Sequence, residues 1–415
     1  MGRAREGGLR VLFGWEFGAG LGHLTRFRPI GDRLVAEGAE VILALQDVDR
    51  AGPFLDPVSR RTRPGYHLLQ GPRWDIPRDP GIRKIPTHSF ADVLRLIGYG
   101  RRDALAHRLT AWEGVMTAAR PDVVVGDFSP TLSLAARGRL PCVVIGNGYT
   151  IPPAGRPMPP IRPWQAALER FSVDHEAELL DTVNAAMQAH ALSPIGHLAD
   201  ALNGDITFVF SLPLVDPYAR FRTTPTLAPF NMPRGIRPLP WEQRRPDGVF
   251  LYMPAGHTQS RTALAALAAA GVAGEAYVAG LPAREAAELG STGMVMHVEP
   301  QDFAAVMPAA RLVIHHGGLS TAVAALLAGT PQLILPWNLE HLVTARAVEG
   351  TGAAAVAPTE AGIDGPRLTT AIRRLLGDRE RAGKAMAAAA TIDLGDPEAG
   401  IAKVVTEVRR LAGRS

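Results

Sequence analysis

The stretch from Arg311 to His341 constrains the fold more than any other, because its structural period changes repeatedly within a few turns of chain. Leu312, Val313 and Ile314 form a short apolar run of the kind that fills a parallel strand covered on both faces. His316, Gly317 and Gly318 break it, and Ser320 and Thr321 read as N-cap residues for a helix made almost wholly of Ala, Val and Leu. Gly329 stops that helix, and Pro331 follows where a helix cannot continue. Gln332 to Leu335 is the next apolar run, closed by Pro336. The pattern is strand, glycine turn, helix, strand.

Such a turn suits an anion. Two glycines let the backbone approach a ligand closely, and the N–H groups and dipole at the helix start favour negative charge. A histidine just before them can donate to a phosphate oxygen. The local chemistry therefore predicts a phosphate or carboxylate site, with a diphosphate as the best fit.

His316-Gly-Gly-x-Ser-Thr, Gly329-Thr-Pro and Leu335-Pro-Trp, followed by an acidic and a polar residue, resemble the donor-binding signature of the GT-B glycosyltransferases. The likeness is to the group of plant and bacterial UDP-sugar-dependent and macrolide-type transferases. It is good over roughly residues 295–355, has a second anchor at the N-terminus, and is loose between them. The resemblance implies an α/β fold of two Rossmann-like, doubly wound parallel-sheet domains facing across a cleft. It also implies that His316, Gly317, Gly318, Leu319, Ser320 and Thr321 hold the nucleotide diphosphate. Trp337, Glu340 and His341 then fall at the donor sugar. Glu340-His341 replaces the usual Asp-Gln pair, so the donor sugar stays open. The ribose-binding glutamate of plant members falls at Ala324, which fits a bacterial-type enzyme and leaves UDP against dTDP open.

The whole chain bounds the rest. Its 415 residues suggest two domains, and 47% hydrophobic with 20% charged residues is ample for two cores. No run reaches the length of a membrane-spanning helix, and Cys142 is the only cysteine, so neither a disulfide nor a cysteine-based metal site is expected. A reducing cytoplasm fits. The net charge of +4 rests almost wholly on arginine spread among acids. A basic patch could meet an anionic lipid surface, but no basic stretch interleaved with aromatics points to nucleic acid. The remaining histidines lack ligand spacing, so no metal is expected. Oligomeric state is not fixed by the sequence.

At the N-terminus, Leu9 to Phe13 reads as a first buried strand and Gly14 to Gly22 as a glycine-spaced loop. His23 opens a helix with Leu24, Phe27, Ile30 and Leu34 on one face, and Glu40 to Leu45 is the second strand. Gly18-Ala-Gly-Leu-Gly-His is similar to a dinucleotide fingerprint, with Asp47 near the ribose-binding position, but the sixth position is His23 and the spacing fails. In the transferases, Gly-His at this turn carries the general base, which falls on His23. An aspartate at a later strand end supports that base, and Asp127 matches by its place in the β-α-β order. A helix-start histidine that merely caps, and a strand-end acid capping the next helix, are the rival readings.

The predicted domains are 1–232, acceptor-binding; 233–247, a proline-rich linker; 248–390, nucleotide-sugar-binding; and 391–415, a terminal helix crossing back to the first. By resemblance, Gly256 and His257 lie near the phosphates, His257 replacing the usual Ser or Thr. Val298 and Gln301 lie near the base, Val298 standing where plant members stack an aromatic. The implied reaction is inverting, metal-independent transfer from a UDP- or dTDP-sugar to an acceptor hydroxyl, with no bound cofactor. The alternatives are an epimerase or hydrolase of sugar nucleotides on the same scaffold, or a non-catalytic auxiliary protein.

Overall fold

A computed structural model describes residues 8–18, 22–76, 87–165, 169–230, 232–290, 294–358 and 363–413. Residues 19–21 of the glycine-spaced loop lie outside the described residues, as do 166–168. The chain divides into two units, Met1–Asn231 with Gly395–Ser415, and Met232–Leu394. Each is built on a six-stranded parallel sheet.

In the first unit, β1 (Arg10–Trp15), β2 (Glu40–Leu45), β3 (Tyr66–Gln70), β4 (Val123–Asp127), β5 (Cys142–Gly146) and β6 (Ile206–Val209) are ordered β3-β2-β1-β4-β5-β6. Their helices are α1 (Gly22–Ala36), α2 (Phe90–Leu96), α3 (Arg102–Ala119), α4 (Pro130–Ala136) and α5 (Glu169–Gln188). Near-continuous Val, Ile and Leu in β1, β2 and β4 is what burial on both faces requires, and all these apolar side chains are buried. Gly14 does not end β1. The strand continues through it to Trp15, paired on both sides, and a Cβ at this position would run into the Leu132 side chain of α4. The glycine serves close packing here rather than a turn.

The second unit repeats the plan. Its strands are β7 (Val249–Pro254), β8 (Gly274–Ala279), β9 (Met294–His297), β10 (Leu312–His315), β11 (Gln332–Ile334) and β12 (Ala354–Val356), ordered β12-β11-β10-β7-β8-β9. The helices are α6 (Ser260–Ala270), α7 (Ala283–Gly290), α8 (Phe303–Ala309), α9 (Leu319–Leu327), α10 (Leu339–Gly350), α11 (Gly365–Leu376) and α12 (Arg379–Thr391). A last helix, α13 (Pro397–Leu411), belongs to the first unit. Its Ile401, Val404, Val405 and Val408 join the core that holds Leu24, Phe27, Ile30 and Leu34 of α1.

Both sheets reverse direction of growth once, between β1 and β4 in the first and between β7 and β10 in the second. Ligands of open α/β sheets bind beyond the carboxyl ends of the strands at such reversals. The two units therefore each present one candidate position.

α5 ends at Gln188, and a short 3-10 turn follows at Leu198–Leu202. Ser320 and Thr321 are not N-caps. The chain reverses at Gly317, whose φ of +94° favours glycine, so Gly318 becomes the N-cap of α9 and the two hydroxyl residues lie within its first turn. At the far end of α9, Arg244 reaches in from the proline-rich segment. Its guanidinium donates to the carbonyls of Ala310, Ala328 and Gly329, satisfying groups the helix end leaves open.

Candidate functional site

At the reversal of the first sheet, Trp15 ends β1 beside Asp127, which ends β4 in the same register. His23 stands in the first turn of α1. Its Nδ1 lies 2.8 Å from Asp127 Oδ1. The ring stacks at 5.4 Å from Trp15, with Phe128 at 6.4 Å. Asp127 is fully buried and His23 is 7% exposed. With Nδ1 facing a carboxylate, Nε2 is the ring atom left to act as acceptor. Gly18, at φ +90°, brings the backbone against Nε2 so closely that a Cβ there would collide with it.

Arg26 is a third member that sequence reasoning did not single out. Its Nε lies 2.5 Å from Asp127 Oδ2 and one terminal nitrogen 3.0 Å from Oδ1. Burial would push the Asp127 carboxyl up, but the Arg26 charge and then His23 outweigh it and hold the group below its usual range. The available signal was spacing: residues three apart on a helix share a face.

Beside this set lies a second buried carboxylate. Glu16 accepts from the indole N–H of Trp74 and Trp112 and from the Thr131 backbone N–H, and burial pushes it up to about 6. It ties Trp74 to an aromatic group in which Trp74 stacks on Tyr99 at 5.2 Å and Phe17 meets Phe128 at 5.5 Å.

At the reversal of the second sheet, the turn after β10 carries two histidines with different tasks. His315 is fully buried, with Nε2 2.9 Å from Gln332 Oε1 and Nδ1 accepting the Gly317 N–H at 3.1 Å. Burial pushes it down to about 3, so it is neutral. His316 points the other way, its ring 4.8 Å from that of His341. Nδ1 of both His316 and His341 is buried without a hydrogen-bond partner. Burial pushes them down to about 4 and about 3. Two orphaned ring nitrogens beside the opening turn of α9, whose N–H groups lack intrahelical partners, make a place for an anion. Gly317 contributes its flexibility, since its own N–H is taken by His315.

His257 follows β7, next to β10, but both its ring nitrogens are engaged. Nε2 donates to the Leu335 carbonyl at 3.0 Å and Nδ1 accepts the Gln259 N–H at 3.0 Å. Its ring stacks on Trp337 at 5.1 Å, leaving Trp337 49% exposed. Gly256 is exposed in the same turn. Asn338 caps α10 through the His341 N–H at 2.9 Å, which sets Glu340 and His341 in its first turn. Ala324 is buried inside α9 and offers nothing to a ligand. Val298 is exposed beyond β9, and the Gln301 amide donates to the Glu299 carbonyl. β8 separates β9 from β7 in the sheet, and Val298 and Gln301 follow β9. Nearer His316 are aromatics that the sequence reading passed over: Tyr252, 5.6 Å from it, stacks on Tyr277 at 5.8 Å and meets Phe303. Among the described residues no group of side chains could hold a metal ion, and no helix is long and apolar enough to cross a membrane.

Two doubly wound parallel sheets of this kind make up the GT-B architecture, and comparison with known proteins points to glycosyltransferases. Residues 264–408 match the family described as erythromycin biosynthesis protein CIII-like, C-terminal domain. A PGL/p-HBAD biosynthesis glycosyltransferase of Mycobacterium tuberculosis is 28% identical over 330 residues, 72% of this chain and 73% of that protein. A PGL/p-HBAD biosynthesis rhamnosyltransferase of Mycobacterium bovis is 29% identical over 317 residues, 72% and 69% of the two chains. The crystal structure of the glycosyltransferase VinC in complex with dTDP covers 98% of this chain and 100% of its own, with a TM-score of 0.60 at 18% identity. The fold is that of the GT-B glycosyltransferases, and the sequence is similar to glycosyltransferases of the natural-product, macrolide type.

Proposed function

We propose that the protein transfers a sugar from a nucleoside diphosphate sugar to an acceptor hydroxyl with inversion, His23 acting as general base. The observation that carries the reading is the buried His23–Asp127 contact at the β1/β4 reversal, which turns one ring nitrogen to a carboxylate and leaves the other as acceptor. The donor diphosphate lies at the first turn of α9, with His316 and the glycine turn around it. Trp337, Glu340 and His341 meet the sugar, and Val298 and Gln301 flank the base. His257 acts through Trp337 rather than by touching phosphate.

In the reaction the acceptor oxygen gives its proton to His23 Nε2 and forms the bond to the anomeric carbon. The bond from that carbon to the phosphate oxygen breaks, and the nucleoside diphosphate leaves with the electron pair. A positioned base contributes on the order of a hundred- to ten-thousand-fold. The leaving charge meets the helix N–H groups and His316, without a metal. The VinC structure contains dTDP, which favours a dTDP-sugar over a UDP-sugar here. The sugar nucleotide and the reduced, buried Cys142 suit the cytoplasm.

The test is product stereochemistry. Proton NMR of the product from an α-linked donor should show a β anomeric linkage. An α linkage overturns the inverting mechanism, and donor consumed without acceptor turns the reading to a hydrolase or epimerase. Thermal stabilisation by dTDP beyond that by UDP checks the nucleotide.

A further inference from the structure

We propose that Arg26 is a positioning residue for the base: its guanidinium fixes the Asp127 carboxylate and cancels its charge, and so sets the pH at which His23 can accept a proton. The inference rests on the reading of His23 as base and goes beyond it.

The geometry is a fork on a fork. Arg26 is 5% exposed and Asp127 is fully buried. Nε and one terminal nitrogen of the guanidinium reach the two carboxylate oxygens at 2.5 and 3.0 Å. The same terminal nitrogen lies 3.1 Å from His23 Nδ1, so Oδ1 is shared between imidazole and guanidinium. A planar bidentate pair of this kind fixes the carboxylate in orientation as well as charge. His23 and Arg26 come from one face of α1, three residues apart, so a single helix delivers both groups to the end of β4.

The consequence is electrostatic. A lone carboxylate beside an imidazole stabilises the imidazolium, so the base holds its proton to higher pH. Here a guanidinium stands on the same carboxylate, and it keeps its charge throughout the working range. The pair is neutral as His23 meets it. No other charge intervenes among the described contacts. Trp15 and Phe128 flank the ring, and a Cβ at Gly18 would meet Nε2, so the glycine leaves that atom its space. Glu16 turns to Trp74, Trp112 and Thr131. Asp47, just beyond the end of β2, pairs with Arg50, and on the α13 side of α1 Arg409 pairs with Glu37.

The test is the pH dependence of kcat/KM for transfer by the full-length protein, with its donor and acceptor. In Arg26→Met the acid limb should move up by about one to three pH units with donor KM unchanged. Arg26→Lys should restore most of the wild-type profile. An unmoved limb in a folded Arg26→Met protein overturns the proposal. Because a buried carboxylate left alone can prevent folding, a second comparison uses Asp127→Asn with and without Arg26→Met. The single variant should have the lower acid limb, since its guanidinium is uncompensated; identical limbs overturn the proposal. His23→Gln separates the two readings. If it transfers sugar at the wild-type rate, the base assignment fails. If it is inactive while Arg26→Met leaves the limb in place, only the Arg26 proposal fails.

Discussion

Nε2 of His315 lies 2.9 Å from Oε1 of Gln332, inside the sheet and out of reach of solvent. The same glutamine donates its amide N–H to the Ala322 carbonyl in α9, while His315 Nδ1 takes the Gly317 N–H. One buried chain of three hydrogen bonds thus joins β11, the end of β10, the glycine turn and the helix that follows. Its effect is to hold His316 and the start of α9 in place without using the N–H groups a ligand needs.

Gln332→Leu should therefore damage the turn rather than the ligand groups. It leaves the buried His315 ring N–H unpaired, at a cost of about 1–3 kcal/mol. Urea denaturation should show the loss, and titration calorimetry should show weaker nucleotide binding with His316 intact. Unchanged stability would mean the chain is not a structural element.

Replacing His316 by Ala should act on the ligand instead. Loss of one charge-assisted hydrogen bond to phosphate costs about 1.5–3 kcal/mol, roughly ten- to a hundredfold in nucleotide affinity. Stability should hold or improve, because a buried ring nitrogen without a partner is removed.

Trp337 stands on His257 and is half exposed. Trp337→Ala should raise the Kd of the complete sugar nucleotide while leaving that of free dTDP or UDP near wild type. Equal losses for both would move Trp337 from the sugar to the nucleotide.

Acid should destabilise the fold through the histidines. Burial pushes His315 to about 3, His316 to about 4 and His341 to about 3, from an ordinary 6.5. The unfolded chain therefore binds more protons between about pH 4 and pH 6.5, so stability is complete above that window and falls as pH drops through it. His257 is lowered by burial in the same direction, while Glu16, raised to about 6 by burial, and Glu176, also raised by burial, work the other way over their own ranges. The urea midpoint should be lower at about pH 5 than at about pH 7, and a flat profile would contradict the burial of these rings.

Much of the fold is legible in the chain because double-sided burial writes strands as unbroken Val, Ile and Leu, as in Val123–Asp127 and Leu312–His315. Strand ends with a histidine or an acid also announce the reversals. Other features are less visible because they depend on contacts rather than pattern. Arg26 reads as an ordinary charged helix residue until β4 brings Asp127 beside it. His315 and His316 are identical in type, and only the end of β10 turns one inward and one outward. His257 reads as a ligand until Leu335, distant in sequence, takes its ring N–H. Gly14 reads as a loop until the space it leaves for Leu132 is seen.

The most direct test of the account separates its two halves in one pair of proteins. Calorimetric Kd for the nucleoside diphosphate and single-turnover transfer rate are measured for His23→Ala and His316→Ala. The account predicts that His23→Ala binds nucleotide like wild type and loses on the order of a hundred- to ten-thousand-fold in transfer, while His316→Ala loses nucleotide affinity. Transfer at the wild-type rate without His23, or nucleotide affinity undiminished without His316, would contradict it.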